Sequence, residues 1–172
     1  MIRSFEDKTP RIHPSVFVSE SAYVVGDVDL GEGVTVWPRV VIRGDLGKIV
    51  IGRNTAVEDG SIIHGTITIG DHTVIGHSVI IHARSVGSHC LLGNKAIVNE
   101  GVEIGDWCMV AAASVVRPRM VVPPRSMVMG HPAEIRRALR PEQEHGLITR
   151  YQIHPNLAKR YLENGNPTGD AV

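Results

Sequence analysis

Aromatic side chains are scarce: two Phe, two Trp and three Tyr in 172 residues. So few large rings argue against a broad core built around aromatics and for a narrow interior of aliphatic side chains. Charge of one sign is missing too. Lys plus Arg number 18 and Asp plus Glu number 18, and without a net field neither nucleic acid nor an acidic membrane surface is an expected partner. No apolar run approaches the about eighteen residues of a membrane span. The start, MIRSFEDKTP, is charged and lacks the apolar stretch of a signal peptide. A soluble, cytoplasmic protein is expected. The two cysteines, Cys90 and Cys108, are too few for a disulfide framework. A buried, reduced pair is expected.

What the chain has is a period of six. An aliphatic anchor stands at Ile12, Val18, Val24, Leu30, Val36 and Ile42, and after an insertion at Gly47-Lys48-Ile49 again at Ile51, Val57, Ile63, Ile69, Ile75 and Ile81. One shortened step leads to Val86, and Leu92, Val98, Ile104, Val110, Val116, Val122 and Val128 follow. The fifth place of each hexad is mostly small or apolar, as at Val16, Val28, Val40, Leu46, Ser61, Val79 and Ser85. Hexapeptide periodicity marks a parallel β-helix, with one short strand and one corner per hexad and three hexads per coil. Anchors and fifth-place residues are expected to point inward. Glycines at the second place, such as Gly52, Gly70 and Gly87, are assigned to corners that need positive φ.

The division follows the period. Residues 1–132 form the β-helix with a short N-terminal cap. Residues 133–172 form a helical extension lying along the solenoid or reaching a neighbouring subunit. AEIRRALR, PEQEHGLITRYQI and HPNLAKRYLENG have helical composition, Pro141 and Pro155 suit first turns, Gly165 suits a stop, and residues 166–172 look frayed.

Counting hexads places the histidines. His64 and His82 are each second in their hexad and eighteen residues apart, so they stack on one edge, above Arg43. His77 is third in its hexad, on another part of the triangle, above Asp59. His64 and His82 are close enough to share an ion, since Zn–N bonds are about 2.1 Å. A rotated copy of the chain would be needed to bring His77 to them, and a threefold would close such an assembly. Outward surface histidines are the plain alternative. His72 and His89 also stack, fourth in their hexads, and read as solvated, as do His13, His131, His145 and His154.

The runs IRGD (42–45), VEDGSIIH (57–64), VIGHSVIIH (74–82) and GHPAEIRR (130–137) resemble the γ-class carbonic anhydrase family over nearly the whole chain. That resemblance implies a left-handed β-helix, a homotrimer, and zinc, or iron or cobalt, held by His64 and His82 of one subunit and His77 of the next. It implies reversible hydration of carbon dioxide, with Arg43 and Asp45 tying the trimer together and Asp59 as the acid five residues before the first ligand. Departures accompany it. Glu58 and Ala56 stand where the family often has glutamine and asparagine, the acidic loops of its most active members are missing, and His154 occupies a frequent tyrosine position. Slow turnover follows, with Glu58, Asp59 or His154 as proton carrier. A coenzyme A-dependent hexapeptide acyltransferase and a metal-stabilised structural trimer remain the other readings.

Overall fold

The computed structural model describes residues 1–165; residues 166–172, read above as frayed, lie outside them. The chain is a β-solenoid of short parallel strands followed by one helix. Anchor stacks on anchor. Val57 pairs with Ile75, Ile75 with Leu92, Leu92 with Val110, and Val110 with Val128, each one coil further on. The anchors from Val18 to Val128 are almost entirely buried. Each strand thus contributes one inward aliphatic side chain, while the residue before it points outward. Two longer strands, Tyr23–Leu30 and Val41–Ile51, run through a corner and belong to two faces at once.

The insertion sits earlier than the count put it. Ile49, not Leu46, fills the fifth place: it pairs with Val28 and Ile67 and is fully buried. Leu46 is displaced outward and is 76% exposed. In the shortened hexad Ala83 is buried instead of Ser85. The two cysteines are buried and unbridged. They extend a corner ladder in which Thr55 Oγ1 accepts from Thr73 N, Thr73 Oγ1 from Cys90 N, and Cys90 Sγ from Cys108 N.

The second-place glycines serve close approach, not positive φ. Positive φ at the corners falls on Asn54, His72, His89, Trp107 and Arg125 instead. A Cβ on Gly87 would lie 2.6 Å from the backbone nitrogen of Asp106 in the next coil. Gly87→Ala is therefore expected to destabilise the fold by about 1–3 kcal/mol, because two coils would have to separate. Chemical denaturation of the two proteins measures this; an unchanged midpoint would contradict the contact.

Residues 133–138 are a strand, not a helix. Ala133–Ala138 folds back antiparallel on Ser126–Gly130. The last coil would otherwise present an unpaired edge, and pairing it outweighs the helical composition of the stretch. The two remaining helical segments are one helix, α1 (Pro141–Glu163), with Pro155 inside it. Pro141 opens it, Glu142 and Glu144 occupy its first turn, and Gly165 follows its end at φ +77°. Helix α1 lies along one solenoid face. Leu157 and Ala158 pack on Phe17 and Trp37; Leu147 packs with Met127 and Leu139.

Candidate functional site

Strand register sets the first cluster. Arg43 pairs with His64, and Ile62 and Ile63 pair with Ile80 and Ile81, which puts His82 one rung beyond His64. The two imidazole centroids lie 5.3 Å apart with rings at 87°. His64 Nε2 is 3.0 Å from Asp45 Oδ1, Arg43 donates to Asp45 Oδ2, and Arg43 also reaches His64 Nδ1 at 3.4 Å. Asp45 thus faces both a guanidinium and an imidazole. Burial alone would push its carboxyl up, but the hydrogen bonds from Arg43 and His64 outweigh that and hold it below the usual carboxylate range. A cleft of about 530 Å³ opens beside the pair, lined by Leu46, Gly65, Thr66, Ala83 and Arg84 among others.

The second cluster is on another corner. His77 Nδ1 is 3.2 Å from Asp59 Oδ2, as their stacking requires, and His77 Nε2 is 3.1 Å from Glu58 Oε2. His154 of α1 places Nε2 3.3 Å from Glu58 Oε1. Glu58 therefore sits between two imidazoles. Burial pushes its carboxyl up, against the pull of His77. Burial likewise pushes the His154 imidazole down, and its Nδ1 is buried without a partner. Trp37, Leu157 and Tyr161 close a cavity of about 210 Å³ around these groups.

The structure brings His64, His82, Arg43 and Asp45 together, and separately His77, Glu58 and Asp59. Among the described residues, no three His, Cys, Asp or Glu side chains converge as a metal site within one chain. Three histidines differ from the solvated reading. His154 is only 13% exposed, and His72 and His89 are half-buried beneath Tyr151 of α1. Trp37 and Tyr161 were not signalled by the hexads, since a helix crossing the solenoid brings them to His154.

Comparison with known proteins follows the repeat. A sequence profile described as "Hexapeptide repeat of succinyl-transferase" matches residues 84–118. The carnitine operon protein CaiE of Escherichia coli (strain K12) is 36% identical over 146 residues, covering 83% of this chain and 74% of CaiE. The chain belongs to the γ-carbonic anhydrase and CaiE-like family of hexapeptide-repeat proteins. Another member, the mitochondrial γ-carbonic anhydrase 2 of Arabidopsis thaliana, is 35% identical over 96% of this chain. This chain spans 63% of that protein's length. Among solved structures, a hexapeptide transferase family protein from Anaplasma phagocytophilum superposes with a TM-score of 0.91 at 27% identity, covering 94% of this chain and 98% of that one. The proteins this chain is similar to thus carry names for carbonic anhydrase, for a carnitine operon and for hexapeptide transferases. No helix among the described residues is long and apolar enough to cross a membrane.

Proposed function

We propose that this protein is a homotrimeric, metal-dependent carbonic anhydrase-like enzyme. In this reading His64 and His82 of one subunit and His77 of the next hold the metal. The placement of His64 and His82 beside an apolar, uncovered face carries the proposal. The solenoid has three outer faces. The face bearing Phe17, Ala56 and Val74 is covered by α1, and those residues are buried. The face bearing Asp29, Thr68, Ser85 and Glu103 is largely polar. The third presents Tyr23, Val41, Ile62, Ile80, Ile97 and Val115, aligned rung on rung. All six retain solvent exposure, and Ile62, at 38%, is the most exposed of them. A continuous strip of this kind, one tyrosine and five β-branched side chains, suits a second copy of the chain. His64 and His82 follow it at its edge.

The donor set fits a borderline metal ion. Two imidazoles stand one rung apart on rigid strands, and His77 is 52% exposed, within reach of a partner surface. Bound there, zinc, iron or cobalt would supply a Lewis acid that lowers the pKa of water toward neutrality. The chain's own groups do the rest. Asp45 orients the His64 ring and Arg43 fixes Asp45. Asp59 at Nδ1 would fix the His77 ring, and Nε2 would exchange its contact with Glu58 for the ion. His154, beside Glu58 at 3.3 Å, and Asp59, beside His77, are placed to carry a proton outward.

Ile62→Glu tests the face. A carboxylate buried in the middle of the strip has no cation opposite it in the register. The variant is expected to sediment as a monomer, where the wild type sediments at three times the chain mass, and to lose bound metal with the partner. A wild-type monomer that binds metal stoichiometrically would overturn the interface.

The relation to a hexapeptide transferase favours a second reading, acyl transfer from coenzyme A with a histidine as base. Metal analysis separates the two. Acyl transfer needs no stoichiometric metal at these histidines.

A further inference from the structure

Away from the candidate site, three successive coils present a column of rings at one corner. His72 stacks on His89 with centroids 5.0 Å apart, and His89 on Trp107 at 4.2 Å and 10°. Tyr151 of α1 lies against the column, 4.4 Å from His72 and 5.9 Å from His89. We propose that this column is an acid-released clasp: neutral His72 and His89 hold Tyr151 and seat α1, and their protonation lets the helix go.

The geometry favours the neutral rings. Nδ1 of His72 and Nδ1 of His89 are both buried without a hydrogen-bond partner. A bare ring nitrogen there is tolerable, but a proton on it would be a buried donor with no acceptor. Two stacked imidazolium rings would also repel at this spacing. Charged neighbours are mixed. Arg53, paired with Asp71, opposes protonation of His72; Asp71 favours it, and Asp71 and Asp106 favour protonation of His89. Arg125 sits over Trp107 at 5.6 Å and is paired with Glu144 of α1. A charged His89 would gain some attraction from the Trp107 face. Burial is the largest influence on each imidazole and pushes both below the ordinary histidine value, with Arg53 adding to it at His72 and His72 at His89.

The sign follows. Rings with depressed folded values stabilise the docked helix fully above the ordinary histidine value. That contribution is lost as pH falls through the depressed values. Release would be felt at a distance, because α1 also carries His154, Leu157 and Tyr161 onto the cavity beside His77. The clasp itself does not depend on what chemistry that cavity performs.

Hydrogen exchange of the full chain in its native assembly tests it, with rates corrected for intrinsic pH dependence. Protection across Pro141–Glu163 is expected to fall about tenfold or more between neutral pH and about pH 5.5, while the solenoid strands stay protected. In the double variant His72→Gln/His89→Gln most of that acid loss is expected to disappear, the remainder belonging to the buried His154 of α1. Acid loss equal in the double variant, or none in the wild type, overturns the proposal. Should the double variant not fold, NMR titration of the wild-type imidazoles decides: helix loosening must track the His72 and His89 midpoints, and loosening at any other pH overturns the clasp.

Discussion

His77→Ala protein is expected to purify without stoichiometric metal, while His72→Ala and His89→Ala retain it. His77 makes no contact with His64 or His82 in its own chain, so a role for it in the same ion requires a second subunit. Removing one imidazole from a three-imidazole open site leaves two protein donors. Changing even a residue behind a ligand typically costs ten- to a hundredfold in affinity, and losing the ligand itself should cost more than about a hundredfold. His64→Ala and His82→Ala should do the same. Elemental analysis of protein purified without oxygen, after dialysis against metal-free buffer, reads the outcome. Full metal in His77→Ala would show that the ion, if any, sits elsewhere.

Metal-loaded wild type is expected to hydrate carbon dioxide slowly, and Glu58→Gln to be faster near neutral pH by about twofold to tenfold. Glu58 is 16% exposed and touches His77, so its charge lies beside the proposed ion. As a carboxylate it repels bicarbonate and stabilises the protonated form of nearby water. Burial pushes the Glu58 carboxyl up, so more of it is neutral in mild acid than for an exposed glutamate. The advantage of the glutamine should therefore be smallest in acid and grow as pH rises and Glu58 ionises. Stopped-flow hydration at several pH values, with metal content matched, measures this. A rate no higher than buffer in every metal form of both proteins would leave the structural trimer as the better account.

The solenoid was legible because each strand carries one inward Ile, Val or Leu, and a period of six repeats that requirement twenty times. Counting along it also placed His64 beside His82 and His77 above Asp59. The count failed where two aliphatic residues competed for one inward place. Leu46 and Ile49 are both credible, and only the pairing with Val28 and Ile67 selects Ile49. It failed again at Ala133–Ala138, whose structure is decided by the free edge of the last coil rather than by its composition. The burial of His72, His89 and His154 depends on where α1 lies across the coils. A helix repeats every 3.6 residues, and nothing in a period of six fixes its register against the solenoid.

Mixing metal-free His64→Ala and His77→Ala subunits is the most direct test of a shared site. Neither variant alone has a complete ligand set at any interface. In a mixed cyclic trimer, one interface pairs the intact His64 and His82 of one chain with the intact His77 of its neighbour. Random reassembly of equal amounts should restore about one quarter of the wild-type metal per subunit, since mixed trimers each regain one site of three. Metal returning at that level, measured after co-refolding and gel filtration, is the predicted result. A mixture as metal-free as its parents, while still trimeric, would contradict a site built from two subunits.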